Sequence, residues 1–111
     1  MSKDFTQKRK EAETLYAQKK WGQAEQLFAE VMAQNESAGL PADGDIIHDH
    51  AVCVFQQGRT KEALQAFDRA VALEPDHSYR YASRAWIRAA MKDVDGAIAD
   101  YKKALKLDPE D

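Results

Sequence analysis

The sequence predicts an all-α fold made of three tandem helix–turn–helix units, which is six helices in an α-solenoid. Pro41, Pro75 and Pro109 stand 34 residues apart. Helical periodicity of apolar residues runs between them, and strand signals are nearly absent. The residues ahead of the last two prolines repeat at the same offset: Ala63, Phe67, Ala70 and Leu73 return as Ala97, Tyr101, Ala104 and Leu107.

A fixed period of this length indicates one supersecondary unit copied in tandem, with each copy burying its apolar face against the next. The chain has 111 residues, which is room for one small domain. We therefore expect a single domain over 1–111, with repeats at about 5–43, 44–77 and 78–111. The first repeat carries about five extra residues before Pro41.

Turn signals place the individual helices. We predict helices over residues 4–19, 22–37, 45–57, 61–73, 78–91 and 94–107. Each proline follows a helix by one or two residues, since it biases the residue before it away from the helical region. Gly58 supplies a left-handed cap at the end of the third helix. Thr60 and Asp93 are expected to cap the fourth and sixth helices by accepting hydrogen bonds from free amides.

Small and aromatic residues share one face of the second helix in each pair. Ala63 and Ala70 flank Phe67, and the same order returns in the third unit. Alanines let a neighbouring backbone approach while the ring fills the space between them. This stripe predicts core packing and argues against a cofactor site.

Composition and charge exclude several classes of function. No run of apolar residues is long enough to span a bilayer. The first ten residues show no secretory signal, and Cys53 is the single cysteine, so we expect a cytoplasmic protein. The net charge is -3, but residues 21–77 hold three basic against ten acidic side chains. This acidic centre argues against a nucleic-acid partner, and neither a membrane nor a cofactor is implied.

A metal site and a catalytic site are both unsupported. On a helix, His48 and His50 point about 200° apart and cannot share an ion. His50, Cys53 and His77 offer too few ligands for a structural zinc site. We expect Cys53 to be buried instead. The sequence shows no phosphate-binding glycine loop and no nucleophile with a placed base, so we expect no enzyme activity.

The repeated positions resemble the tetratricopeptide repeat family over essentially the whole chain. The family pattern of a small residue, an aromatic, a second small residue and a proline is met twice in register. The resemblance implies a right-handed α-solenoid whose first helices line a concave groove that binds peptides. It also implies that Arg84, at a place where the family usually has leucine, pairs with Asp100 on the facing helix.

The same resemblance implies which residues face the groove. Arg9, Glu13 and Asp49 are among the places where a subgroup holds the terminal carboxylate of chaperones. Since the two acids would repel a carboxylate, we reject that clamp and expect a neutral or basic partner segment. The expected groove residues are Thr6, Arg9, Glu13, Tyr16, Ala17, Asp45, His48, Asp49, Val52, Phe55, Gln56, Tyr79, Ala82, Ser83, Trp86, Ala89 and Ala90.

Three functions remain open from the sequence. The first is an adaptor or co-chaperone-like module that holds a protein segment around Phe55 and Trp86. The second is self-association through Ile98, Tyr101 and Leu105, whose apolar face awaits a fourth unit, a second copy or a partner. The third is capture of a small planar ligand in the groove between Tyr79 and Trp86. Tyr16 and Phe55 have the alternative role of packing against neighbouring helices.

Overall fold

The computed structural model describes residues 5–109, apart from the side chain of Phe5. Within that range the chain forms helices and no strand, which confirms the all-α solenoid of helix–turn–helix units. The elements in chain order are α1 (Phe5–Ala17), α2 (Trp21–Ser37), α3 (Gly44–Gln56), α4 (Thr60–Leu73), α5 (Ser78–Ala90) and α6 (Val94–Leu107). Residues 1–4 and 110–111 of the predicted domain, including residue 4 of the first predicted helix, lie outside the described range.

The short turns inside each pair end the first helix in the same way. Lys19, Gly58 and Lys92 all have positive φ, at 61°, 88° and 66°. A left-handed residue after a helix lets the following amide bond back to a carbonyl in the last turn. The amide of Lys20 does so to Leu15 at 2.9 Å, and α1 therefore ends at Ala17, two residues earlier than predicted.

The predicted caps divide into one that is confirmed and one that is wrong. The carboxylate of Asp93 accepts the amide of Gly96 at 3.0 Å, as expected for the start of α6. Thr60 is instead the first residue of α4, and Arg59 occupies the cap position without a side-chain hydrogen bond. Helix α4 therefore begins at Thr60, one residue earlier than the predicted start at residue 61.

The core lies between consecutive helices and forms two clusters. Ala24, Phe28 and Val31 of α2 meet Ala12 of α1 and Cys53 of α3 in the first cluster. The second cluster joins α3, α4 and α5, with these buried members: Ala51, Val54, Ala63, Phe67 and Ile87. The small-aromatic stripe is therefore core in α2 and α4, as the sequence predicts. In α6 the prediction is wrong for Tyr101, which is 44 % exposed because no further helix covers it among the described residues.

The first repeat departs from the others at its second helix. α2 has 17 residues whereas α4 and α6 have 14 each. Residues 38–43 then connect α2 to α3, compared with residues 74–77 between α4 and α5. The five extra residues thus divide into about one helical turn and a longer loop, which carries the half-exposed Leu40.

Candidate functional site

A cavity of about 410 Å³ lies where α1, α3 and α5 present their side chains together. We call it the groove cavity. Seven of the residues expected in the groove line it: Tyr16, His48, Val52, Tyr79, Ala82, Ser83 and Trp86. Phe67 of α4 and Tyr101 of α6 complete the lining. Its volume lies within the range of about 300 to 1,000 Å³ that is usual for ligand sites.

His48 forms the floor of the groove cavity and joins α3 to α5. Its side chain is 6 % exposed. The imidazole Nε2 lies 2.8 Å from the hydroxyl oxygen of Ser83, and Nδ1 lies 3.1 Å from the carboxylate of Asp49. The ring also packs edge-on against Phe67 at 5.4 Å between centroids. With both nitrogens bonded, this polar side chain is a fixed part of the floor.

Two exposed aromatic rings stand above that floor. Tyr79 is 54 % exposed and Trp86 is 46 % exposed. The Tyr79 ring lies 5.0 Å from the His48 ring, and the Trp86 ring lies 4.7 Å from Phe55. Each ring is therefore held on one side and open on the other, which is how aromatic anchors provide contact area at low entropic cost.

Tyr16 closes the α1 end and also packs against its neighbours. Its ring meets Trp21 at 5.4 Å and Phe28 at 6.3 Å, both edge-on. Burial raises the pKa of the Tyr16 hydroxyl to about 12, and the nearby Asp49 carboxylate adds to that shift. Tyr16 thus takes both of the roles weighed from the sequence, since it packs and also lines the groove cavity.

An acidic side chain, Asp49, lies beside the groove floor, and the nearby Arg9 is already ion-paired with other carboxylates. Asp49 keeps a third of its side chain exposed while it accepts from His48, and Glu13 is half exposed. Arg9 lies 3.0 Å from Asp43 and 3.6 Å from Glu13. Since Arg9 already has two carboxylate partners, it is poorly placed to hold the carboxylate of a ligand.

Several expected groove residues lie away from the groove cavity. Thr6 and Arg9 line a separate cavity beside Leu40 and Pro41. Gln56 is exposed near the end of α3, and Ala17, Ala89 and Ala90 are exposed and absent from the groove lining. Asp45 accepts a hydrogen bond from Arg80 at 2.5 Å.

The ion pairs of the buried Arg80 were not predicted from the sequence. Its side chain is 3 % exposed and donates to Asp45 and to Glu74. The Arg80 hydrogen bond holds the pKa of the Asp45 carboxyl below its usual value. A Cβ at Gly44 would overlap the Glu74 carboxylate, so the glycine makes room for this pair. The spacing of Glu74 and Arg80 across Pro75 is the signal that could have indicated it.

The predicted Arg84–Asp100 pair is confirmed. Arg84 donates from Nε and Nη2 to the two carboxylate oxygens of Asp100, at 2.9 and 2.8 Å. Arg88 donates to the same carboxylate at 2.9 Å, and Arg84 also reaches Asp68 at 3.1 Å. Asp100 is buried, so this network ties α4, α5 and α6 together in the third unit.

The outward face of α6 remains uncovered in the described chain. Ile98, Tyr101 and Leu105 are 46, 44 and 52 % exposed, as expected for the face that awaits a neighbour. Tyr101 belongs to this face and also lines the groove cavity. The groove and the α6 face, predicted as two separate surfaces, are therefore continuous at Tyr101.

Two further features of the described residues concern metals and membranes. Within 5–109, no group of three or more His, Cys, Asp and Glu side chains is arranged to hold a metal ion. Cys53 is a buried free thiol, as predicted. None of the six helices has the length and apolar character required to cross a bilayer.

Comparison with known proteins agrees with the helical-repeat fold. Models of the tetratricopeptide repeat match residues 15–87 and 78–111. Among curated proteins, the chain is 29 % identical over 94 residues to U-box domain-containing protein 70 of Oryza sativa, covering 85 % of this chain and 11 % of that protein. It is 26 % identical over 101 residues to Hsp70-Hsp90 organizing protein 1 of Glycine max, covering 91 % and 17 %. The chain thus spans less than a fifth of these relatives.

Solved structures share the fold. PcrH, in complex with the chaperone-binding region of PopB, superposes with a TM-score of 0.83 at 19 % identity, over 96 % of this chain and 83 % of that one. The first repeat domain of Spaghetti (RPAP3), bound to the HSP90 peptide SRMEEVD, gives 0.83 at 20 % identity over 96 % and 81 %. These similarities concern the arrangement of helices.

Proposed function

Because the chain belongs to the tetratricopeptide repeat family, we propose that it is a non-catalytic interaction module whose groove cavity holds a segment of another protein. The observation that carries this proposal is the pair of exposed rings, Tyr79 and Trp86, above the bonded His48–Ser83 floor. Open aromatic faces on a fixed support are typical of residues that dominate binding energy.

The named relatives support a protein or peptide as the ligand. The structure of PcrH contains a region of PopB, and that of Spaghetti contains an HSP90 peptide. Hsp70-Hsp90 organizing proteins are among the similar curated proteins. We extend from these proteins only the class of ligand, which is a polypeptide segment, and the adaptor or co-chaperone-like role that such binding serves.

The charges of this chain favour a neutral or basic segment. Asp49 lies beside His48 of the groove floor and keeps part of its carboxylate exposed, whereas Arg9 is occupied by Asp43 and Glu13. An acidic peptide such as SRMEEVD would meet carboxylates here without a free guanidinium to offset them. A segment with apolar side chains and one or two basic residues would place the apolar groups on Trp86 and Tyr79.

Affinity capture from the source cell tests the proposal. Wild-type protein should retain a partner segment that Trp86→Ala loses, with at least about a tenfold fall in affinity for the recovered segment. Leu73→Ala is the matched control, because Leu73 is 42 % exposed and lies outside the groove cavity. Equal retention of the partner by wild type and Trp86→Ala would contradict the proposal that the groove cavity holds it.

Self-association is a second candidate, favoured by the exposed apolar face of α6. If Ile98, Tyr101 and Leu105 join two copies, sedimentation should show a mass that rises with concentration. Ile98→Asp should abolish that rise while leaving the groove residues in place. A monomer at every concentration tested would reject this candidate.

A small planar ligand between Tyr79 and Trp86 has less support. The two residues are seven positions apart on α5, a rise of about 10 Å, which is wider than one planar molecule fills. Each ring also already contacts a ring of α3.

We place the module in the cytoplasm, where the free thiol of Cys53 would remain reduced.

A further inference from the structure

A second cavity, of about 540 Å³, lies between α2, the loop over residues 38–43 and α3. We call it the insert cavity. It shares no lining residue with the groove cavity. Its lining combines apolar side chains, among them Leu40, Ile46 and Ile47, with charged ones, which are Glu36, Asp43 and Arg69.

The extra residues of the first repeat build one wall of this cavity. The longer α2 adds Asn35 and Glu36, and the loop adds Leu40. Leu40 is 48 % exposed, while Ile46 and Ile47 beneath it are 2 and 3 % exposed. An apolar side chain is thus held above an apolar floor with space between them.

The corresponding junction between α4 and α5 carries larger side chains at two matching positions. Tyr81 and Arg84 stand 34 residues after Ile47 and His50. The Tyr81 hydroxyl donates to the carbonyl of Pro75 at 2.8 Å, and the Arg84 guanidinium lies 5.8 Å from the Tyr81 ring centroid. Ile47 and His50 are smaller than these counterparts, and both line the insert cavity.

Comparing the two junctions also shows that, within the described chain, Arg69 lacks the aromatic contact of its counterpart in the next repeat. Its counterpart Lys103 lies 5.9 Å from the centroid of the Tyr81 ring. Arg69 lines the insert cavity together with Ile47, and no carboxylate among residues 5–109 forms an ion pair with it. A guanidinium at the edge of an apolar cavity attracts an anion and can bind a carboxylate with two parallel hydrogen bonds.

Two carboxylates also border the insert cavity and affect the choice of ligand. Both oxygens of Asp43 are in use, because Oδ1 accepts the amides of Asp45 and Ile46 and Oδ2 accepts from Arg9. Glu36 is exposed and lines the α2 wall, so it limits the affinity for an anion without closing the cavity. His50, close to Glu25, has its pKa lowered by burial and is neutral near pH 7.

We propose that the insert cavity is a binding site for a small aliphatic carboxylic acid. The hydrocarbon chain would lie on Ile46 and Ile47 beneath Leu40, and the carboxylate would meet Arg69. The apolar floor favours the chain through the hydrophobic effect. The cavity volume suits one small molecule, and the site works independently of the groove cavity.

Titration with octanoate, followed by the methyl NMR signals of Ile46 and Ile47, tests the proposal. Octanamide is the neutral isostere. We expect octanoate to shift these methyls and to bind about fivefold more tightly than octanamide. Arg69→Gln should remove that preference, and Glu36→Gln should strengthen octanoate binding. Both side chains are exposed, so neither change should prevent folding.

Two controls separate this site from the rest of the molecule. Leu40→Ser should weaken both probes, because it removes the apolar cover from the floor. Trp86→Ala should leave both titrations unchanged, because Trp86 lines the other cavity. Unshifted Ile46 and Ile47 methyls, equal binding of octanoate and octanamide, or binding lost with Trp86→Ala would each overturn the proposal.

Discussion

Arg84 and Asp100 join α5 to α6 by two parallel hydrogen bonds, Nε to Oδ2 at 2.9 Å and Nη2 to Oδ1 at 2.8 Å. The Asp100 side chain is 5 % exposed and the Arg84 side chain 17 %. A bidentate pair fixes both the distance and the orientation of the two helices. It therefore sets the position of α5, which carries Tyr79 and Trp86.

Breaking this pair from one side should destabilise the fold strongly. Asp100→Leu removes the buried acceptor of both Arg84 and Arg88, and we expect the free energy of unfolding to fall by about 3 kcal/mol. The double variant Asp100→Leu with Arg84→Met should recover part of that loss, because it removes the more buried of the two guanidiniums that lose the Asp100 acceptor. Chemical denaturation measures both, and a double variant less stable than Asp100→Leu would contradict this explanation.

The Arg80–Asp45 pair should make stability depend on pH in the acid range. Since the hydrogen bond from Arg80 lowers the folded-state pKa of Asp45, this contribution is full above the unfolded pKa of about 4. It is lost as pH falls through the lower, folded-state value. Asp45 is 66 % exposed, so we expect at most about 1 kcal/mol at neutral pH.

Asp45→Asn isolates this contribution from the other carboxylates. The difference in free energy of unfolding between wild type and the variant should be constant above about pH 5 and shrink below about pH 4. Thermal unfolding at a series of pH values measures it. A difference that grows as the pH falls would show that the sign is wrong.

Cys53 should be unreactive in the folded protein. Burial raises the pKa of its thiol to about 12, and the thiolate is the reactive form. With a disulfide reagent at pH 8, we expect the folded protein to react at least about a hundredfold more slowly than the unfolded chain in concentrated guanidinium chloride. Similar rates in both states would mean that the α2–α3 packing opens readily.

The acidic border of the groove should favour basic partners. For a segment recovered by capture, Asp49→Asn should weaken binding about fivefold if that segment is basic, and added salt should weaken wild-type binding. Asp76→Asn is the control, since it removes the same charge from the exposed loop between α4 and α5. Tighter binding by Asp49→Asn would indicate an acidic partner.

The repeat period predicted the helices and the packing stripe because both depend on local spacing. Gly58 is recognisable as a left-handed cap from its residue type. Lys19 and Lys92 adopt the same conformation against their own preference, because the tight turn between packed helices requires it. Sequence patterns do not show such tertiary effects, and α1 consequently ends earlier than predicted.

The groove could be predicted in part. Tyr79 and Trp86 share a helix face, so their common exposure follows from the sequence. Phe67 and Tyr101, from the second helices of two pairs, also line the groove cavity. The sequence pattern places Phe67 in the core and Tyr101 on the α6 face, so neither is expected in the groove. The insert cavity depends on how α2, the loop over residues 38–43, α3 and Arg69 of α4 come together, and no local spacing predicts that.

A backbone NMR titration of labelled protein with the captured segment tests the central claim most directly. We predict that the largest shifts fall on α1, α3 and α5 around Tyr16, His48 and Trp86, and that Trp86→Ala removes them. Shifts confined to the exposed face of α6, or persisting in Trp86→Ala, would contradict the claim that the groove cavity holds the partner.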